Sequence, residues 1–275
     1  MRNGESPNVK FHINLIQYMN NNKHKSKPNA TPNDPELEDM NEAEGTQDTA
    51  VEKKKLLRVG ITHGDTNGVG YELIFKIFSD NGMFDICTPV VYGSLKMATY
   101  HRKALEMNNN FNTILSANEA EEGRLNLVNC FDDDLKIELG KIDPDAGQAA
   151  LMALEHAVSD LKAGRIDVLV TAPICKSAIH GSKFKFAGHT EFLGERLGKE
   201  GEAPLMILAN NLMRVALVTT HLPVQEVSAA ITTEAVESKI RALYKSLRRD
   251  FLLSSPRIAV LGLNQIGRAS CRERV

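Results

Sequence analysis

Four short polar segments each follow an apolar run of strand length: "THGDTNGVG" after "LLRVGI", "TAPICK" after "IDVLV", "TTHLP" after "RVALV", and "LN" after "RIAVLG". In open parallel sheets ligands gather beyond the carboxyl ends of the strands, so residues in these places are the first candidates for chemistry. His221 of "TTHLP" can offer a neutral imidazole nitrogen to a metal or carry a proton. It has no HxH or HExxH partner nearby, and a hydrogen-bonded structural histidine accounts for it as well. Lys176 of "TAPICK" can hold a carboxylate or phosphate, or shuttle a proton if burial lowers its pKa; an exposed surface lysine is the plainer alternative. No base accompanies Cys175 in the sequence, which points to a passive thiol.

In the first segment Gly64, Gly68 and Gly70, with Asp65 among them, let the backbone approach a ligand and expose amides at the start of a helix near Tyr71, a favourable place for an anion. The spacing is neither GxGxxG nor GxxxxGK[ST], and a tight strand-to-helix turn explains the same glycines. A fifth stretch, "KFAGHTEFLGERLG" (185–198), opens another helix. Glu191 suits the positive end of that helix, and capping explains Thr190. Capping does not explain His189, whose charged form is disfavoured there, so a neutral hydrogen-bonding role fits it best.

The elements that hold these segments alternate between strand and helix. "LLRVGIT", "CTPVVYG", "LNLVNC", "KIELG", "IDVLVTAP", "MRVALVTTHLP" and "RIAVLGLN" read as strands. "YELIFKIFSD", "LKMATYHRKALEM" and "PVQEVSAAITTEAVESKIRALYKSLRRDF" read as helix. Asp143 as N-cap, Pro144 at the first helical position and Gly164 as the stop delimit a long helix, with Leu151, Leu154, Val158 and Leu161 on one face. Apolar strands with helical crossovers imply an α/β fold with a mostly parallel sheet. Residues 1–55 are polar and poor in large apolar side chains, which predicts a disordered extension, with a short helix expected near "FHINLIQYM".

A net charge of -2 from 33 basic and 35 acidic residues gives no field for nucleic acid or an anionic membrane, which leaves small-molecule chemistry. The cysteines at 87, 130, 175 and 271 lack CxxC pairing, and a reducing compartment fits them. No run reaches the roughly 18 apolar residues of a spanning helix, and the start lacks the order of a secretory signal, so a cytoplasmic protein is expected.

Taken together, "RVGITHGDTNGVGYE", "DVLVTAPICKSAI", "FAGHTEFL", "RVALVTTHLP" and "PRIAVLGLN" resemble one family, 4-hydroxythreonine-4-phosphate dehydrogenase, the metal- and NAD-dependent enzyme of pyridoxal phosphate biosynthesis. The resemblance covers about residues 57–264 in family order. It implies the fold of isocitrate and isopropylmalate dehydrogenases: two αβα domains around a cleft, in a homodimer. The first domain is drawn at 56–176 and the second, incomplete, at 177–264. By the same resemblance His189 and Thr190 contact a small phosphorylated hydroxy-amino-acid substrate, and His221 is a ligand of a divalent metal (Zn, Mg or Co). Lys176 belongs to the catalytic site, although Ala172 stands where the family has glycine. Gly64, Asp65, Gly68 and Gly70 lie near NAD or NADP. The implied reaction is oxidation of a secondary alcohol followed by loss of carbon dioxide.

After Asn264 the family pattern would continue with further metal and substrate residues, whereas residues 265–275 read "QIGRASCRERV". The expectation is a truncated, inactive chain with a non-family tail. Two other readings compete: a dehydrogenase of four-carbon sugar-acid phosphates, and a phosphate acyltransferase of related fold, against which "TTHLP" and "GHTEF" count.

Overall fold

The computed structural model describes residues 15–16, 56–131, 135–180, 184–198 and 204–263. The chain divides into two compact units, residues 1–189 and 190–275, thirteen residues later than the boundary drawn from sequence. Most of the expected disordered extension and the tail after Leu263 lie outside the described residues.

Unit one is built on a six-stranded sheet. Strands β2 (Leu57–Thr62), β3 (Cys87–Gly93), β4 (Phe111–Ile114), β5 (Leu125–Asn129) and β6 (Val168–Thr171) are parallel, and the order is β1-β6-β2-β3-β5-β4. Strand β1 is Leu15–Ile16, paired antiparallel with Val170 and Leu169. This corrects the expectation of a helix there: the edge of β6 offers unpaired backbone groups, and a passing segment satisfies them by adding a strand. The motif "KIELG" is also not a strand, since residues 136–138 carry no ladder and Leu139 and Gly140 form a turn. Strand β4 was not expected from the sequence, because "FNTI" is short and half polar.

Helices α1 (Gly70–Ile77), α2 (Leu95–Ala104), α3 (Pro144–Lys162) and the short α4 (Lys176–Ile179) complete unit one. Ser94 caps α2 by accepting from the Met97 amide, and Asp143 caps α3 by accepting from the Asp145 amide, with Pro144 first in the helix and Gly164 beyond its end at φ +68°. The two faces of the sheet are covered differently. Ile61, Val91, Leu125 and Leu127 pack with Tyr71, Ile74, Phe75, Met97 and Ala98 of α1 and α2. Tyr92, the neighbour of Val91 and hence on the opposite face, donates its hydroxyl to Asp160 of α3 at 2.7 Å. Every residue of β3 is buried, as expected of a central strand covered on both faces.

The connection through α3 carries the chain from β5 past β3 and β2 to β6 on the far side. Strands β2 and β6 are therefore neighbours although more than a hundred residues separate them in sequence, and their carboxyl ends open side by side.

The turn leaving β2 is packed without spare room. A Cβ at Gly70 would overlap the carbonyl oxygen of His63; one at Gly64, where φ is +74°, would overlap that of Pro173. His63 is fully buried, its Nδ1 is 3.1 Å from the Tyr92 carbonyl oxygen, and its ring stacks on Tyr71, which stacks in turn on His101. His101 Nε2 lies 2.8 Å from the Thr66 carbonyl oxygen. Burial pushes the His63 pKa down to about 4, with the nearby His101 acting in the same sense, and burial also lowers His101.

In unit two, α5 (His189–Leu197) begins on the last residue of unit one. A hairpin of β7 (Ile207–Ala209) and β8 (Arg214–Ala216) follows, turned by Asn210, whose Oδ1 accepts from the amides of Leu212 and Met213. Helix α6 (Val224–Ala230) and helix α7 (Thr233–Arg249) come next, the latter capped by Thr232. The run expected as the strand "MRVALVTTHLP" is extended only through Ala216, and "RIAVLGL" forms no strand at all. Both are corrections with one cause. An apolar run becomes a strand when a neighbour completes its backbone hydrogen bonds; Val260, Leu261 and Leu263 are instead exposed, with no partner strand among the described residues.

Two outcomes follow from the packed turn. Gly70→Ala should destabilise unit one by about 2 kcal/mol, read from urea unfolding, because a backbone carbonyl cannot move aside as a flexible side chain can. His63 should make stability depend on pH. Its folded pKa lies below the ordinary 6.5, so the unfolded chain takes up the extra proton, and stability present above about pH 6.5 is lost as pH falls towards 4. The loss from His63 should approach about 3 kcal/mol, at about 1.4 kcal/mol per unit, and His63→Asn should flatten the urea-midpoint profile over that window.

Candidate functional site

The polar end of unit one is assembled from the exits of β2 and β6. The Asp65 amide donates to the Pro173 carbonyl oxygen at 2.9 Å, and the Ala172 amide to that of Thr62 at 3.2 Å, so "HGDTNGVG" and "TAPICK" lie side by side. Asp65 turns its own loop: its Oδ1 accepts from the Asn67 amide at 3.0 Å, and its carbonyl accepts from the Gly68 amide at 3.1 Å. Asn67 is buried and ties the loop to residues 138–141. It accepts from the Glu138 amide at 2.9 Å and donates from Nδ2 to the Lys141 carbonyl at 3.2 Å.

This geometry bears on the four residues assigned to a nucleotide. The room that a ligand would need beside Gly64 and Gly70 is filled by protein carbonyls, and the amides of Asp65, Asn67 and Gly68 are spent within the fold. The turn therefore does not fit a pyrophosphate cradle. Asp65 and Gly68 are partly exposed, and the Asp65 carboxylate suits a hydroxyl donor better than an anion.

Lys176 starts α4 and is exposed, following Cys175 at the cap position. The helix is seated closely on α3, where a Cβ at Gly147 would overlap the backbone of Ala178. His189 is half-buried and begins α5. Its Nε2 is closed off from solvent and has no hydrogen-bond partner among the described residues. Burial foremost, and then the Lys176 ammonium, push its pKa down to about 4. The structure thus brings His189 and Lys176 into one electrostatic neighbourhood and keeps the imidazole neutral. A buried ring nitrogen left without a partner is an exception among the polar groups of a folded chain.

Thr190 follows as the first residue of unit two and is partly buried. In this unit His221 stands just beyond β8 in a left-handed conformation, φ 55°, uncommon for a residue with a side chain. Its imidazole is half exposed, and its Nε2 is 3.5 Å from Oε1 of Glu191; the other carboxylate oxygen, Oε2, is buried without a hydrogen-bond partner. Among the described residues no group of three His, Cys, Asp or Glu is gathered for a metal. The two donors present, an imidazole nitrogen and a carboxylate oxygen, have the chemistry of a divalent-cation site.

Two residues escaped the sequence reading. Glu191 was accounted for by the helix end alone, although it stands two positions after His189 in "GHTEF". His63 follows a strand-end threonine in "ITH" just as His221 does in "TTH", and that shared pattern was the available signal. His63 Nε2 is also buried without a hydrogen-bond partner among the described residues.

Comparison with known proteins agrees with the motif order. The profile of the family described as "Pyridoxal phosphate biosynthetic protein PdxA" matches residues 85–265, which include Lys176, His189, Thr190 and His221. A 4-hydroxythreonine-4-phosphate dehydrogenase of Bacteroides thetaiotaomicron is 53% identical over 208 residues, 76% of this chain and 57% of that protein. One from a Sulfurihydrogenibium species is 35% identical over 209 residues, 76% of this chain and 63% of the relative. The chain therefore spans roughly three fifths of the length of these relatives. Among solved structures, a 4-hydroxythreonine-4-phosphate dehydrogenase from Burkholderia phymatum superposes with a TM-score of 0.66 at 31% identity, covering 76% of this chain and 63% of that one. With a family match over more than half its length, the chain belongs to the pyridoxal phosphate biosynthetic protein family PdxA.

Proposed function

We propose that the protein carrying this sequence oxidises the secondary alcohol of 4-phosphooxy-L-threonine with NAD or NADP, and that the resulting 3-oxo acid loses carbon dioxide to give 3-amino-2-oxopropyl phosphate. The dehydrogenase class and its place in pyridoxal phosphate biosynthesis follow from the family. The observation that carries the residue-level reading is the buried, unpartnered Nε2 of His189, whose protonation burial foremost and then the Lys176 ammonium disfavour.

Each residue's part follows from its surroundings. His189 is held neutral, so at physiological pH it serves as a hydrogen-bond partner to a substrate oxygen and orients the carbinol; it is not poised as a proton carrier. Lys176 is a compact cation at the rim that complements the substrate's phosphate or carboxylate. Thr190 supplies a hydroxyl one residue further along α5. Asp65 can accept from a cofactor hydroxyl, with Gly68 beside it; Gly64 and Gly70 hold the turn's shape. His221 would help hold the divalent ion, Zn, Mg or Co. A bound nicotinamide would supply a hydride acceptor, and a bound cation would supply Lewis acidity for the oxidised carbinol. A homodimer within the cytoplasm completes this proposal.

The test, made on the whole protein that carries this sequence, is absorbance of the reduced nicotinamide with 4-phosphooxy-L-threonine, a divalent cation and NAD, with a four-carbon sugar-acid phosphate as the competing substrate. The expected result is turnover of the amino-acid phosphate with the higher kcat/KM, and a fall of about 100-fold or more in His189→Ala. A preference for the sugar-acid phosphate, or an undiminished His189→Ala variant, would contradict the assignment.

A further inference from the structure

Two asparagine–glycine steps lie among the described residues: Asn67–Gly68 in the turn after β2, and Asn81–Gly82 in the 3₁₀ turn Asn81–Asp85 between α1 and β3. Asparagine followed by glycine carries a latent reaction. The glycine nitrogen can attack the asparagine Cγ, and a residue with no Cβ leaves that approach open. A C–N bond forms while the side-chain nitrogen departs as ammonia, carrying away the proton that the glycine nitrogen loses. Water then opens the cyclic imide to an aspartate or an isoaspartate. The net exchange is water in and ammonia out, with nothing oxidised or reduced. In a folded chain the reaction depends on whether the side chain can swing over the next nitrogen.

The structure treats the two steps in opposite ways. Asn67 is buried; its Oδ1 accepts from the Glu138 amide at 2.9 Å, its Nδ2 donates to the Lys141 carbonyl at 3.2 Å, and the Gly68 amide is held by the Asp65 carbonyl. Rotating that side chain would break two hydrogen bonds away from water. Asn81 is exposed, and its side chain makes no hydrogen bond among the described residues. It stands at the lip of an open cavity of about 650 Å³, lined also by Phe78, Phe84 and Asn109, so water has access and the imide has room to close. The Gly82 amide donates to Oδ1 of Asp80 at 2.9 Å, an exposed bond that water can replace.

We propose that Asn81 is a site of spontaneous deamidation in the folded protein, and that burial and two side-chain hydrogen bonds protect Asn67 from the same reaction. The inference does not depend on the reaction proposed above. The modification bears on the fold, because Met83 and Phe84 of the same turn pack against the core of unit one, the Phe84 ring 5.5 Å from that of Phe78. An isoaspartate would lengthen the main chain there by one carbon, and either product would add a carboxylate beside those of Asp80 and Asp85.

The test is incubation of the whole protein that carries this sequence in mildly alkaline buffer, with and without denaturing urea, followed by peptide mapping that distinguishes asparagine, aspartate and isoaspartate. Without urea both products should accumulate at Asn81 and neither at Asn67; in urea Asn67 should react as well. Gly82→Ala should remove the products at Asn81 over the same period. That variant should keep the fold, as circular dichroism would check, because a Cβ at Gly82 meets nothing nearer than Oδ1 of Asp80 at 3.2 Å, the tip of a flexible side chain. An Asn81 that stays intact in the folded protein would overturn the proposal, whatever happens in urea. Reaction at Asn67 as fast as at Asn81 without urea would overturn the protection, and undiminished product in Gly82→Ala would overturn the route through the glycine nitrogen.

Discussion

The contact on which the polar end of unit one depends is the closure of the turn after β2 onto the segment leaving β6. It works only because two positions carry no side chain: Gly64 meets the Pro173 carbonyl and Gly70 meets that of His63, at distances that leave no place for a Cβ. The Asp65 amide then reaches Pro173 and the Ala172 amide reaches Thr62, so two segments more than a hundred residues apart in sequence share one backbone network. Lys176 is delivered to the rim by the short helix that follows. The same contact uses up the amides that a glycine-rich turn would otherwise present to an anion. The glycines hold a scaffold in place.

Electrostatics of the site are set by burial more than by secondary structure. The helix end at which His189 sits disfavours its protonation by about 0.3–1 kcal/mol. Desolvation, the largest contribution to its pKa of about 4, together with Lys176 amounts to roughly 3 kcal/mol at about 1.4 kcal/mol per unit. The outcome anticipated from the helix end, a neutral imidazole, is therefore reached chiefly by a stronger cause. His63 is neutral for the same reason, but its ring is locked between Tyr71 and Phe131, where it serves the fold.

Much of unit one was legible because its signals are local or periodic. Asp143, Pro144 and Gly164 delimit α3 through chemistry that neighbouring residues cannot override. Buried strands such as "VLVT" read as apolar runs because helices cover both faces of the sheet. What failed depends on partners. "RIAVLGL" has the composition of a strand and no neighbour among the described residues to pair with, and "KIELG" alternates like a strand yet serves as the loop that Asn67 anchors. Strand β1 is the converse, two residues recruited by an open edge, with nothing in their own composition to mark them. In the site, the histidines were visible as types out of place at strand and helix ends. The contact between Glu191 and His221 was hidden because an acid in a first helical turn already has a sufficient local explanation.

The most direct measurement of the central claim, that His189 meets the substrate as a neutral hydrogen-bond partner, is the long-range ¹H–¹⁵N spectrum of the histidine imidazoles with and without 4-phosphooxy-L-threonine. The account predicts a neutral ring at pH 7 whose Nε2 resonance moves saturably as ligand is added, while that of buried His63 stays in place. A protonated His189 in the free chain, or an Nε2 resonance unmoved at saturating ligand, would contradict it.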